Sequence, residues 1–339
     1  MAPPLPGPAA PPAAIGDVAS RVDAALAAFL SEQEAELAGI HPGASLLLDE
    51  LRRLLGAGGK RLRPALCYWG HRAAWGPDGE RIVRAAAALE LLHTFALIHD
   101  DVMDRSSTRR GVPSSHVRFA AERPGPDAAH RGLALAVLAG DLAMVLADRL
   151  LDASGFPPRV VAEARRRYDR MRVEMAVGQL LDLTAEELSP GDALRISSLK
   201  TGGYTFEGPL QVGAILAGGS LEVLTVLARY GRPLGQAFQV RDDLEAEEDE
   251  PAGSGVLLAL ARAAASGPQR ELLERAARDP GAVDRGRVRE VLEAVGARRR
   301  AEALFEGLVR EAVAALEGAA IDPEAKAALA AVARAVGER

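Results

Sequence analysis

Apolar residues recur at intervals of three and four from Ile82 to Ala96, and the stretch Gly132 to Leu151 is apolar almost all round. The first pattern predicts an amphipathic helix, and the second predicts a helix surrounded by others. From Ile15 onward the chain is rich in Ala, Leu, Glu and Arg, the best helix formers, and poor in alternating β-branched runs. Nearly every segment therefore reads as helix. Breaks are expected at Gly56 to Gly59, Gly76 to Gly79, Arg123 to Pro126, Phe156 to Pro158, Ser189 to Gly191, Gly231 to Pro233, Ser266 to Pro268 and Asp279 to Gly281. They have loop length rather than linker length, and no solenoid-type repeat is present. The expectation is a single all-α domain over residues 15–339, preceded by a disordered Pro/Ala-rich extension at residues 1–14.

Composition narrows the functional classes. Hydrophobic residues make up 48% and charged residues 26%, the balance of a globular protein. Against 47 acidic residues stand 41 basic ones, a net charge of −6, so no global positive field exists to hold nucleic acid or anionic lipid. The apolar run at Gly132 to Gly140 is cut by Asp141, well short of the ~18 residues a membrane span needs. No transmembrane segment is expected. The first twelve residues hold six prolines, and no basic residue precedes Arg21, which is unlike a secretory leader. Cys67 is the single cysteine, so neither a disulfide nor a thiolate metal cluster can form within the chain. A reducing, cytoplasmic setting is expected.

The sharpest chemical feature is Leu97 to Asp104 (LIHDDVMD), where Asp100, Asp101 and Asp104 follow an apolar helical run. Asp100 and Asp104 are one turn apart and project from one face, so their charges repel unless a cation intervenes. Mg²⁺ suits them: it takes one or two carboxylates, keeps waters and fills its remaining positions with phosphate oxygens. His99 beside the acids is expected to pack or hydrogen-bond, because Mg²⁺ prefers oxygen. Two cationic segments follow the same logic: Arg109-Arg110, and the loop Gly58 to Pro64 (GGKRLRP) bearing Lys60, Arg61 and Arg63. Arg forks and Lys ammonium groups can grip a diphosphate together. Only three lysines occur in the chain, at 60, 200 and 326, so Lys60 and Lys200 stand where Arg is otherwise the default cation. A second acid pair, Asp242-Asp243, ends another apolar helical segment. If the two acidic helices face one cavity, three divalent ions could be clamped on one diphosphate, making it a good leaving group.

Taken together, these residues resemble the trans-isoprenyl diphosphate synthases of the polyprenyl synthetase family. GGKRLRP at Gly58 to Pro64, the aspartate motif at Asp100, Asp101 and Asp104, and the pair Arg109-Arg110 carry the resemblance. His93, Gly178-Gln179, Lys200-Thr201-Gly202 and Phe238-Gln239 before Asp242-Asp243 extend it. The resemblance implies an isoprenoid-synthase-type helical bundle around a deep central cavity, and Mg²⁺-dependent ionisation of an allylic diphosphate. Isopentenyl diphosphate then attacks the cation and a proton is lost. Position by position it implies metal binding by Asp100, Asp101, Asp104, Asp242 and Asp243, with three Mg²⁺ ions in all. Arg109, Lys200 and Gln179 would hold the allylic diphosphate, and Lys60, Arg63, His93 and Arg110 isopentenyl diphosphate. Thr201 and Gln239 would face the developing cation, as fixed dipoles should. Phe95 and Ala96, upstream of the first motif, would limit chain length as in geranylgeranyl diphosphate synthases. A homodimer is also implied.

Two departures stand against the resemblance. The second motif has Ala246 at its third acid position, with Glu245 or Glu247 as possible substitutes, and the lysine-bearing loop expected next is replaced by an acidic tract from Glu247 to Glu250. Alternatives are a non-catalytic or regulatory subunit of a prenyl synthase, or a terpene cyclase on the same fold. The intact Gly58 to Pro64 loop and Arg110 disfavour the cyclase, which has no use for an isopentenyl site.

Overall fold

The computed structural model describes residues 13–185, 188–249, 255–278 and 283–337, with backbone alone at 13–14 and 246–249. Among these, helices account for almost everything: α1 (Ala13–Ile40), α2 (Ser45–Gly56), α3 (Leu62–Ala73), α4 (Glu80–Met103), α5 (Ser115–Glu122), α6 (Ala128–Asp152), α7 (Pro158–Thr184) and α8 (Pro190–Ser197). A wide-turn π-helix, Ser198–Glu207, leads into α9 (Gly208–Leu216). There follow α10 (Leu221–Asp249), α11 (Val256–Ala264), α12 (Gly267–Arg278), α13 (Arg285–Ala294), α14 (Ala297–Ala315) and α15 (Pro323–Gly337). One antiparallel ribbon, β1 (Thr108–Arg109) with β2 (Val112–Pro113), interrupts the helices. The all-α expectation holds. Residues 1–12 of the expected Pro/Ala-rich extension lie outside the described residues, and helix is already present at Ala13.

The chain divides into two compact units, Met1–Tyr68 with Pro77–Ala162, and Trp69–Gly76 with Glu163–Arg339. In the first, α4 packs mainly on α6. The buried face of α6 runs through Ala136, Ala139, Gly140, Ala143, Leu146, Ala147 and Leu150, and its small residues let the two helices approach closely. Contrary to the sequence expectation, α6 is not enclosed: Leu133, Val137, Leu138 and Val145 are exposed on its far side. Periodicity shows how much of a helix is apolar, but not whether its own chain covers it. The helix buried nearly all round is α4, where Ala85 to Thr94 are all buried. By length and composition α4 could cross a membrane, yet 67% of its most apolar window is buried, as befits a core helix.

In the second unit α10 packs on α14 and on the π-helix. The expected break at Gly231 to Pro233 does not occur, since α10 continues through Pro233. An interior proline costs about 3 kcal/mol, and the packed apolar faces on both sides of it offset that. The other expected breaks fall between helices, except Asp279 to Gly281, where residues 279–281 lie outside the described ones.

Candidate active site

In the first unit, α4 carries Asp100 and Asp101 in its last turn and Asp104 at its C-cap, whose N–H donates to the Asp100 carbonyl at 2.8 Å. Carboxylates at this end oppose the helix dipole as well as one another, so the arrangement favours a bound cation. The three acids differ in environment: Asp104 is exposed, Asp100 half-buried and Asp101 buried. Arg109 Nε donates to Asp101 at 2.9 Å, while its Nη2 lies 3.7 Å from Asp100. Burial pushes the Asp101 carboxyl above its ordinary range, although Arg109 pulls it down. Burial also works against the Arg109 charge, but the bond to Asp101 and the fields of Asp100 and Asp104 prevail and raise its pKa. Among the described residues no group of three or more acid, imidazole or thiol side chains forms a preassembled metal cage. The donor set nonetheless fits Mg²⁺, which needs only one or two carboxylates besides water and phosphate. His99 packs against Phe95 with ring centroids 4.7 Å apart and sits 3.2 Å from the Val137 carbonyl, as its sequence reading held.

The two cationic segments meet beside α4. Arg110 and Gly111 form the hairpin turn between β1 and β2 with φ of 52° and 76°, and glycine suits the second of these left-handed positions. Arg110 donates through Nη1 to the Gly58 carbonyl, joining the turn to the GGKRLRP loop. Arg61 is buried within that loop, donating to the Leu55 carbonyl at 2.6 Å, Glu90 at 2.8 Å and Asp23 at 2.7 Å. It anchors the loop, whereas Lys60 beside it is exposed. Glu90 lies three residues before His93 on α4. Burial holds the His93 pKa well below its usual value, and Arg63, Arg110, Arg109 and Arg61 push the same way. Arg110 is likewise depressed by burial and by repulsion from Arg61, Arg63 and Arg109, with Glu90 opposing. So dense a group of like charges around a buried imidazole creates a local positive field that would attract an anion.

The second unit gathers the remaining residues. Gly178 on α7 passes so close to the π-helix that a Cβ there would lie 2.3 Å from the Lys200 nitrogen. One turn on from Gln179, Asp182 accepts from Lys200 Nζ at 2.6 Å. Thr201 follows Lys200 in the π-helix, a widened geometry often found at functional sites. On α10, Gln239 Nε2 lies 3.4 Å from Asp242 Oδ2. Asp243 turns the other way and accepts from the backbone N–H of Val256 at 2.5 Å and of Leu257 at 3.4 Å, capping α11. Burial raises the Asp243 carboxyl to about 6 against these two bonds, with a further push from Asp182. Glu245 lies 3.3 Å from Arg241 Nε. The side chains of Ala246 to Glu250 lie outside the described residues.

Each acid pair is thus divided by the strength of its protein contacts: Asp101 and Asp243 accept the short bonds from Arg109 and the α11 backbone, while Asp100 and Asp242 make longer contacts, to Arg109 at 3.7 Å and Gln239 at 3.4 Å. The sequence reading missed Asp182, Asp23, Glu90 and the internal commitment of Arg61. Spacing could have suggested Asp182, three residues after Gln179. Nothing local singles out Glu90 or Asp23, which meet Arg61 across 29 and 38 residues.

The polyprenyl synthetase family model matches residues 44–252. A geranylgeranyl diphosphate synthase of Sulfolobus acidocaldarius is 35% identical over 212 residues, 60% of each chain. A geranylgeranyl pyrophosphate synthase of Geoglobus acetivorans is 34% identical over 233 residues, 68% of this chain and 66% of its own. The match thus spans about 60 to 66% of these relatives' length. Over 96% of this chain, the structure superposes on 99% of a geranylgeranyl pyrophosphate synthase of Corynebacterium glutamicum, solved with isoprenyl diphosphate and magnesium, at TM-score 0.89 and 33% identity.

Proposed function

The chain belongs to the polyprenyl synthetase family, and from that premise we propose that it condenses isopentenyl diphosphate head-to-tail with an allylic prenyl diphosphate, giving geranylgeranyl diphosphate or a similar short-chain product. The observation that carries this reading is the pairing, within the first unit, of an acidic helix end with a separate cluster of Arg63, Arg110 and His93. One diphosphate needs only the first, so the second implies two substrates.

In this reading Asp100 and Asp104 of the first unit would bind Mg²⁺, and the family resemblance assigns the same role to Asp242 of the second unit, for three ions in all; Asp101 and Asp243, held by protein groups, would support them. When bound, the ions neutralise the allylic diphosphate and make it a good leaving group. Arg109 would grip that diphosphate from the first unit, and the family resemblance assigns Lys200 and Gln179 of the second unit to the same role. Lys60, Arg63, Arg110 and a donor imidazole on His93 hold isopentenyl diphosphate, whose double bond attacks the allylic cation; a proton then leaves. Thr201 and Gln239 present dipoles to the developing charge. The exposed stripes Leu133, Val137, Leu138 and Val145 on α6, and Val173, Val177, Leu180 and Leu183 on α7, support a homodimer. The buried lone Cys67 accords with a cytoplasmic setting.

A second reading, a non-catalytic or regulatory subunit, is favoured by Ala246 and by the commitment of Asp243 to α11. The purified chain with Mg²⁺, isopentenyl diphosphate and farnesyl diphosphate separates the two. A product one isoprene unit longer supports the synthase. Failure to extend any allylic primer, with activity appearing only on adding a homologous subunit, supports the other.

A further inference from the structure

Glu50 on α2 is completely buried, and neither the motifs nor the proposed chemistry uses it. Its carboxylate receives Arg53 Nε at 2.8 Å and Nη2 at 2.7 Å, Ser115 Oγ at 2.5 Å, and Arg118 Nη1. Burial alone would raise its pKa, but the bonds from Arg53, Ser115 and Arg118 overcome this and keep the carboxylate ionised. The donors come from two elements, α2 for Arg53 and α5 for Ser115 and Arg118. α5 follows the β1–β2 ribbon directly in sequence, whereas α2 is distant in sequence and reaches the ribbon through Arg53.

The Arg53 guanidinium does one thing more. Through Nη2 it also donates to the Pro113 carbonyl at 3.0 Å. Pro113 pairs with Thr108 at the foot of the ribbon, and the Ser114 N–H closes that foot on the Ser107 carbonyl at 3.1 Å. Arg109 and Arg110 stand at the other end, with the Arg110 tip bonded to Gly58. A two-stranded ribbon of four paired residues has little stability of its own. Its position is therefore set by what grips its ends.

We infer that Glu50 is a positioning residue: through Arg53 and α5 it fixes the foot of the ribbon, and so the place at which Arg109 and Arg110 meet the two diphosphates. A purely cohesive role would be served as well by apolar side chains, because replacing a buried ion pair by packed hydrophobic groups is often neutral or stabilising. An ionised group whose partner also reaches the ribbon's backbone is suited to setting geometry. The inference rests on the proposed function for its kinetic readout, though not for its structural one.

Two measurements on Glu50→Gln test it, using the full chain. Amide hydrogen exchange at Val112 and Ser114, without ligand, should speed up at least 10-fold while exchange within α10 and α14 stays unchanged. Where the parent condenses the two diphosphates, KM for both should rise together by about 10-fold or more, consistent with loss of one charge-assisted bond, with kcat changing less than about 3-fold. Loss of stability alone would lower the active fraction and leave both KM values in place. Unchanged ribbon exchange in folded Glu50→Gln would overturn the inference, whatever the activity. Should that variant fail to fold, Arg53→Met decides: it removes the bond to Pro113 while Glu50 keeps Ser115 and Arg118, and the same faster exchange is expected. Parent protein that condenses nothing, with ribbon exchange responding as stated, would count against the proposed function and leave the positioning role supported.

Discussion

The Arg109 guanidinium rests on the Asp101 carboxylate, with Nε 2.9 Å away, and only its outer nitrogen approaches Asp100, at 3.7 Å. The middle acid of the first motif is thus paired with an arginine, and under the proposed function its neighbours at 100 and 104 are left to hold metal. Asp101→Asn should raise KM for the allylic diphosphate roughly 10-fold, the scale of one lost charge-assisted bond, and keep most of kcat. Asp100→Asn or Asp104→Asn should instead lower kcat by about 100-fold or more. Steady-state kinetics at saturating Mg²⁺ separates the two patterns, and equal kcat losses in all three variants would contradict the division of labour.

His93 should be neutral in the free protein, since burial and four arginines depress its pKa. Stability gained by keeping it neutral is fully present above about 6.5, the ordinary value for histidine, and is lost as pH falls below that, because only the unfolded chain then takes up the proton. Pyrophosphate placed among the arginines should raise the pKa. Imidazole NMR titration with and without pyrophosphate reads both effects, and an identical titration in the two states would exclude a diphosphate beside His93.

Asp243 titrates with the opposite sign. With its carboxyl raised to about 6, the folded protein retains a proton that the unfolded chain has released above about 4. Its contribution to stability is therefore present at low pH and fades as pH rises through 6. Without metal at pH 7.5, Asp243→Asn should unfold at the parent's temperature or higher, because an amide oxygen can still cap α11 without burying charge. Asp243→Ala should lose about 0.5 to 2 kcal/mol, as a lost N-cap does. Thermal unfolding of both variants is the check.

Phe95 lies one turn before His99 on the same face of α4, with its ring edge-on to the imidazole. If it floors the space for the growing chain, Phe95→Ala should shift products from twenty carbons to longer ones, visible by chromatography of the dephosphorylated alcohols. An unchanged product distribution would place the floor elsewhere.

The uncovered face of α6 predicts self-association. Leu138→Glu together with Val145→Glu should turn a dimer into a monomer by analytical ultracentrifugation, with helical content retained. A parent that is already monomeric would refute this use of the face.

Helix content, most of the breaks and the acidic and cationic motifs were legible in the sequence because each depends on near neighbours: propensity, a turn residue, an i,i+4 pair. Reading failed where distant parts of the chain compete for one group. The turn residues at 231 to 233 signal a break, but packing on α14 and the π-helix carries α10 through it. Asp100 and Asp101 look alike in sequence; one is half-buried and the other holds Arg109. Arg61 reads as one more loop cation until Glu90 and Asp23 are found beside it. Sequence alone therefore determined which chemistries the chain can carry. Tertiary structure decided which carboxylates and guanidinium groups are spent inside the protein, because burial and pairing act on distances that only the folded chain sets.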